Sequence, residues 1–192
     1  YIVEAIQYNP PFAYSGLANP VSVNIDDKWS PEVNLPFDFC FYGNTYNKCL
    51  IGSNGVVTFD LVNNLAGGTC SWSMYGSTGA NLPVSGHSAL IENSIFGVFH
   101  DINPANGGQV GYELITLPTG CRALVVSWSA VPMFSNDAVN DYTGMMVLYE
   151  NSNIIEVYVK KKGITTYAGS GVEGMWNDGN AVIGIQNATG TL

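Results

Sequence analysis

The chain has 192 residues and a formal net charge of −9, set by 15 acidic and 6 basic residues. This balance argues against nucleic acid or an anionic membrane surface as a partner, because affinity for phosphate depends on Lys and Arg. Hydrophobic residues make up 46% and charged residues 11% of the chain, so a large core is expected and extended disorder is not. The sequence contains no apolar run of about 18 residues, so no membrane insertion is expected.

The N-terminal part of the chain contains two segments with the period-2 alternation of β-strands. Residues 2–8 alternate up to the Pro10-Pro11 pair, which cannot donate to a β-ladder. Residues 21–25 alternate again and end at a pair of aspartates. The pattern therefore predicts two strands before the first long aromatic segment.

The clearest strand pattern is residues 35–60, LPFDFCFYGNTYNKCLIGSNGVVTFD. Phenylalanines alternate with other residues in its first part, which is typical of a strand that buries one face. A turn at 43–45 and the Asn54-Gly55 dipeptide, which tolerates positive φ, would reverse the chain twice. We predict a three-stranded antiparallel meander here.

Regular strand patterns return after a long irregular stretch, 61–94, that is rich in Gly, Ser and Asn. The later predicted strands are 95–100, 109–116, 121–128, 144–150, 153–160 and 181–186, with a second long loop at 163–180. No segment shows a sustained helical period. About ten short strands predict an all-β fold, either an antiparallel β-sandwich or a partly closed barrel, with two long loops.

The four cysteines are candidates for disulfide bonds. Cys40 and Cys49 lie on opposite sides of the first predicted turn, where paired antiparallel strands bring Cβ atoms close together. A bridge between them would leave Cys70 and Cys121 as a second pair. Four cysteines permit three connectivities, and four free thiols are the alternative. We expect a disulfide-stapled fold.

Residues 35–60 also resemble a motif of Bacteroidetes cell-surface proteins exported by the type IX secretion system, including gliding-associated adhesins. More distantly, the LPFDFCFYG and SNGVVTF parts are similar to the nidogen-like extracellular domain. The likeness continues in order through segments 24–27, 97–104, 121–122, 131–135, 147–150, 155–158 and 182–187. One departure is that the bacterial group often has a cysteine pair near Ser135 and Gly163, which this chain lacks.

The resemblance implies a single nidogen-like β-sandwich domain over residues 1–192, as a fragment of a larger surface protein. It implies an extracellular location on the bacterial cell surface, at the outer-membrane exterior. Its expected role is non-enzymatic, in adhesion or surface filament assembly, with neighbouring domains, other surface proteins or polysaccharide as partners. Residues 1–4 lack a signal-peptide pattern, so an exported chain would begin after processing or inside a longer sequence.

Acidic turns provide the candidate metal ligands. Asp101 and Asn103 follow a predicted buried strand, and Asp26 and Asp27 end another. These oxygen-rich side chains could bind Ca²⁺ if they converge in space. Alternatively, they cap backbone amides in turns, as Asp and Asn readily do. An aspartate at the Asp101 position recurs in the family that the chain resembles. We expect no cofactor, and Ca²⁺ is the one exception considered.

Catalytic groups are sparse in the sequence. His87 and His100 are the two histidines, and neither has metal-ligand spacing to a cysteine or to the other. Neither a GxSxG motif nor a phosphate-binding Gly-Lys-Ser/Thr motif is present. A glycosidase would need paired carboxylates in one cleft, for example Asp101 and Glu113. We expect no enzymatic activity.

Aromatic residues in the two long loops are candidates for contact with a glycan or a partner. Carbohydrate sites use exposed rings beside Asn, Asp and Gln, which points to Trp72, Tyr75, Trp176 and Asn177. The alternative is that these rings belong to the core. This pattern is the basis of a second hypothesis, a carbohydrate-binding module of an exported multidomain hydrolase.

Overall fold

The structure is a computed structural model that describes residues 1–73, 81–134, 137–163 and 181–192. It has nine strands in these ranges: β1 Val33–Phe41, β2 Asn44–Gly52, β3 Val56–Thr58, β4 Ser94–Phe99, β5 Gln109–Thr116, β6 Arg122–Met133, β7 Asp137–Tyr149, β8 Ile155–Lys162 and β9 Val182–Gln186. A 3₁₀ turn, Pro104–Asn106, follows β4. Among the described residues, no helix has the length and apolar character needed to cross a bilayer.

The strands form two antiparallel sheets, which confirms the predicted β-sandwich. The five-stranded sheet has the order β1-β2-β3-β4-β9, and the four-stranded sheet has the order β5-β6-β7-β8. The described strands do not close into a barrel, so that alternative is wrong. The predicted meander is confirmed, since β1 pairs with β2 and β2 with β3.

A continuous apolar core fills the space between the two sheets. Phe39 and Ile51 of the first sheet pack in one cluster with Leu124 and Trp128 of the second, and all four are fully buried. Burying side chains of this size is worth about 1.5–3 kcal/mol each relative to leaving them exposed. Trp128 Nε1 also donates to the Gly52 carbonyl at 3.1 Å, which fixes one sheet against the other.

Both sheets are covered on their outer faces as well. On the five-stranded sheet, Cys70 and Leu90 pack against Leu50 and Phe96. On the four-stranded sheet, Leu17 packs against apolar residues of β6, β7 and β8. This second layer explains why β3 and β4 are buried at every position instead of alternating.

The two predictions of N-terminal strands are wrong. Residues 2–8 form no strand, and Ile2 is 87% exposed. Residues 21–25 form no strand either, although Ser22 N–H donates to the Val110 carbonyl at 2.7 Å beside β5. Alternation of apolar and polar residues shows that a segment could bury one face as a strand. A strand also needs a neighbouring strand to form hydrogen bonds with its backbone N–H and C=O groups, and alternation does not provide one.

The predicted Cys40–Cys49 disulfide is wrong because of the strand register. Cys40 lies opposite Thr45, whereas Cys49 lies opposite Val33. The two side chains also occupy different faces of the sheet. Cys49 is fully buried in the central core, while Cys40 is partly exposed and alternates with buried Phe39.

The predicted Cys70–Cys121 disulfide is wrong too, because these residues belong to different parts of the sandwich. Cys70 is buried with Trp29 on the outer face of the five-stranded sheet. Cys121 precedes β6 in the other sheet and accepts a hydrogen bond from Asn151 Nδ2 at 3.5 Å. All four cysteines are free thiols. Burial raises the pKa of Cys49 to about 12 and also raises that of Cys70, so both are poor nucleophiles.

Candidate functional site

Three carboxylates converge beside the turn that follows β2. Asp26 and Asp27 lie in the connection before β1, and Asp101 lies just after β4. One carboxylate oxygen from each residue lies within 4.8 Å of the others. We call these three residues the aspartate cluster. The sequence pointed to all three as candidate ligands, and the structure brings them together.

Backbone contacts fix the two chain segments that carry the residues of the aspartate cluster. Asp27 has a positive φ of 50°, and the chain then forms an isolated bridge between Trp29 and Gly52 at the end of β2. On the other side, the Asp101 carbonyl accepts a hydrogen bond from the Phe134 N–H at 3.2 Å. The cluster therefore lies where the connection before β1 meets the segment after β4.

Asn54 holds the aspartate cluster together, although the sequence indicated only a turn at this position. Its fully buried side chain donates from Nδ2 to Asp27 Oδ1 at 2.8 Å and accepts at Oδ1 from the Ile102 N–H at 3.2 Å. Its carbonyl accepts from the His100 N–H at 3.2 Å. The Asn-Gly pattern predicts a hairpin, whereas these long-range contacts depend on the tertiary fold.

Gly55 allows the turn to pack directly against β4. It has a φ of +87°, and a Cβ at this position would lie 2.2 Å from the Val98 carbonyl oxygen. Its own carbonyl accepts from the Gly97 N–H at 3.0 Å. Any side chain at this position would therefore move the turn away from β4. This movement would also disrupt the hydrogen bonds of Asn54.

Burial favours the protonated form of both Asp26 and Asp27. The pKa of Asp26 is raised to about 6, first by burial and then by the charge of Asp27. Burial also raises the pKa of Asp27, while hydrogen bonding from Asn54 opposes this shift. Asp101 is only 2% exposed. Asp26 Oδ1 is buried and accepts no hydrogen bond from any of the described residues.

The residues of the aspartate cluster fit a hard divalent cation. Ca²⁺ binds oxygen ligands at roughly 2.3–2.6 Å, so ligands on opposite sides of the ion lie about 5 Å apart. The three carboxylate oxygens all lie within 4.8 Å of one another, which is close enough for one ion to contact all three. Asn103 was predicted as a candidate ligand of the ion. In the structure its Nδ2 instead donates to Asp26 Oδ2 at 2.8 Å, and its Oδ1 accepts from the Ala105 N–H.

Neither histidine belongs to the group of converging ligand atoms. His87 Nδ1 accepts hydrogen bonds from the backbone N–H groups of Ala89 and Leu90 at 3.0 and 2.9 Å. His100 is buried, and its ring packs edge-on against Tyr142. Burial lowers the pKa of His100 to about 3, so this ring is neutral at physiological pH.

The other predicted site residues are dispersed. Glu113 lies within β5 opposite Val125, whereas Asp101 lies in the aspartate cluster. Trp72 is half-buried. Tyr75, Trp176 and Asn177 lie outside the described residues. Glycan contact through the two long loops therefore stays a prediction.

Comparison with known proteins gives one match. A family model described as NIDO related matches residues 4–192, which include both sheets and the whole aspartate cluster. No curated protein and no solved structure matches the chain.

Proposed function

The chain belongs to the NIDO-related family, and from this premise we propose that it is a non-enzymatic extracellular module of a larger bacterial cell-surface protein. Its role is adhesion or the assembly of a surface filament. The similarity to nidogen-like domains that residues 35–60 indicated is confirmed by the family match. The observation that carries the proposal is the extent of this match, because nidogen-like domains are extracellular in general.

The module exposes several large apolar side chains that a neighbouring domain or another surface protein could cover. Ile2 and Val3 are 87% and 93% exposed, and Val62 and Leu65 also expose most of their apolar surface. Side chains of this type become buried when a second protein surface covers them. Nucleic acid is not an expected partner, because acidic residues outnumber basic residues in the chain.

The proposal extends to the group of proteins and the export route. Residues 35–60, which resemble the Bacteroidetes surface-protein motif, contain most of β1 and all of β2 and β3 of the five-stranded sheet. This resemblance supports export by the type IX secretion system, as for gliding-associated adhesins. Disruption of that system in the producing bacterium is expected to leave the protein inside the cell.

The alternative function is a carbohydrate-binding module of an exported multidomain hydrolase. Half-buried Trp72 is the described residue that favours it. In this alternative, catalysis belongs to another domain of the full-length protein. A hydrolase domain encoded in the same reading frame would favour the alternative over adhesion.

Antibody labelling of the producing bacterium tests the proposed function. Antibodies against this chain are expected to label intact cells as strongly as permeabilised cells. An in-frame deletion of the module is expected to reduce attachment of the cells to a surface. Labelling that requires permeabilisation would contradict the extracellular location, and unchanged attachment would contradict the role in adhesion.

A further inference from the structure

β1 departs from regular pairing with β2 over one short stretch. Between the pairs Asn34–Lys48 and Phe39–Tyr46, β1 advances five residues while β2 advances two. Pro36 lies in this stretch and has no N–H to donate to the ladder. Such bulges interrupt pairing and change the direction of side chains, and they are common next to binding sites.

The bulge lines a cavity of about 550 Å³ together with the neighbouring ends of β6 and β7. This volume is in the range of protein sites for small ligands, which is about 300–1,000 Å³. Its lining includes Phe37, Asp38, Asn47, Arg122, Glu150 and Asn151. The cavity is therefore lined mostly by groups that form hydrogen bonds.

Arg122 is fixed in one wall of this cavity by several contacts. Its Nε donates to Glu150 Oε2 at 2.9 Å, and its guanidinium also forms an ion pair with Glu150 Oε1. It donates to the Pro36 carbonyl and lies 5.7 Å from the centre of the Phe37 ring. The guanidinium charge is paired with Glu150, so this wall offers little attraction to an anion.

A second cavity of about 320 Å³ adjoins the first, because Asp38 and Asn47 line both. Its lining contains Tyr46, whose ring stacks on Phe59 with 4.8 Å between centroids and 21° between planes. Tyr46 is partly exposed. The two cavities form one groove along the β1–β2 hairpin, which we call the hairpin groove.

We propose that the hairpin groove binds a neutral oligosaccharide. The exposed Asp38 carboxylate and the exposed amides of Asn47 and Asn151 can exchange hydrogen bonds with sugar hydroxyls. Tyr46 lines the second cavity with a ring that stacks on Phe59, so the only aromatic contact it can offer a sugar is at the part of the ring that this stacking leaves exposed. Two adjoining cavities match an extended chain of sugars better than a compact ligand.

The charges of the groove favour a neutral ligand over an acidic one. Arg122 is paired with Glu150, and Lys48 is paired with Glu32 at 2.8 Å. Asp38 adds a negative charge that would repel a carboxylate or sulfate. The inference rests on the proposed function, since it names the chemical class to which the module adheres.

NMR titration of the isotope-labelled 192-residue chain tests this inference, with maltotetraose, cellotetraose and mannotetraose as probes. At least one tetrasaccharide is expected to shift the amide signals of Asp38, Tyr46 and Asn47. Asp38→Asn and Asn47→Ala are each expected to weaken binding about tenfold, because each removes hydrogen bonds to the ligand. Gln109→Ala, which removes an exposed amide from β5, should bind like the wild type.

The absence of shifts with all three probes would overturn the inference, as would shifts confined to residues outside the groove or unchanged affinity in both groove variants. Attachment of beads coated with the same protein to bacterial cells separates this inference from the proposed function. Beads that attach without any tetrasaccharide binding would overturn the groove and leave the adhesion role. Tetrasaccharide binding without attachment would support the groove and contradict the adhesion role.

Discussion

Asn54 Nδ2 lies 2.8 Å from Asp27 Oδ1, so a buried, uncharged amide in the β2–β3 turn supports one carboxylate of the aspartate cluster. The same side chain accepts from the Ile102 N–H. These two bonds join the connection before β1, the turn after β2 and the segment after β4. The geometry of the cluster therefore depends on a neutral residue that lies outside it.

Replacing Asn54 is expected to destabilise the fold strongly. Asn54→Ala leaves the buried Ile102 N–H without its acceptor and Asp27 without its donor, which predicts a loss of about 2–4 kcal/mol in the free energy of unfolding. Urea denaturation followed by tryptophan fluorescence measures this change. The control is Asn106→Ala, which alters an exposed asparagine in the 3₁₀ turn. Equal effects of the two substitutions would contradict the supporting role of Asn54.

The aspartate cluster predicts a defined pH dependence of stability when no divalent cation is present. The pKa of Asp26 is raised from 3.8 to about 6 in the folded protein, so between these pH values the folded state binds more protons than the unfolded state. Stability from this group is present at the lower pH and is lost as the pH rises through about 6. The raised pKa of Asp27 acts in the same direction.

Thermal unfolding in EDTA from pH 4 to pH 6 measures this effect as the difference in stability between an Asp26 variant and the wild type. Asp26→Asn removes the titrating group, so the variant is expected to gain stability relative to the wild type as the pH rises. The comparison with the wild type is necessary because the lowered pKa values of Glu92 and Glu150 act in the opposite direction. A constant difference between variant and wild type over this range would contradict the raised pKa of Asp26.

Calcium is expected to stabilise the folded protein at neutral pH, because it would compensate the repulsion among three carboxylates within 4.8 Å. An ion present at one hundred times its dissociation constant adds about 2.7 kcal/mol. Differential scanning calorimetry with CaCl₂ or EDTA measures the gain. Asp101→Asn should abolish it, whereas Glu113→Gln in β5 should not. Identical melting temperatures in CaCl₂ and EDTA would contradict calcium binding by the cluster.

The four thiols are expected to react with an alkylating reagent without prior reduction, since none is part of a disulfide. Cys49 and Cys70 should react only after unfolding, because both are buried and their pKa values are raised. Cys40 and Cys121 are partly exposed and should react in the folded protein. Mass spectrometry of alkylated protein, with and without denaturant, distinguishes the two groups. A requirement for reductant would contradict free thiols.

Local patterns account for the parts of the fold that the sequence predicts correctly. The alternating aromatic residues around Phe39 and the Asn54-Gly55 turn define the meander, because period and turn chemistry depend on neighbours along the chain. Asp26 and Asp101 were identifiable as candidate ligands for the same reason, since acidic residues at the ends of predicted strands are a local signal, although only the strand before Asp101 forms. Their convergence required the tertiary structure.

Register is the property that local patterns did not specify. The β1–β2 turn is centred on Tyr42 and Gly43, both with positive φ, so Cys40 faces Thr45. For Cys40 to face Cys49, the turn would have to be centred two residues later. The bulge beyond the turn then shifts the register again. One displaced turn was therefore enough to make the disulfide prediction wrong.

Buried polar contacts and the pairing partners of strand-like segments also could not be predicted from the sequence. Asn54 has the signature of a turn residue, and its contact with Ile102 arises only when β4 packs beside the turn. Residues 2–8 have a strand pattern but no partner strand among the described residues. Both features depend on segments that are distant in the sequence, and no local periodicity encodes them.

Attachment of protein-coated beads to bacterial cells and to their extracted surface polysaccharide tests the central claim most directly. Beads that carry the purified chain are expected to be retained more strongly than beads that carry an unrelated acidic protein. Excess soluble chain should release them, because it competes for the same sites. Equal retention of the two kinds of bead on every surface would contradict the proposed role in adhesion.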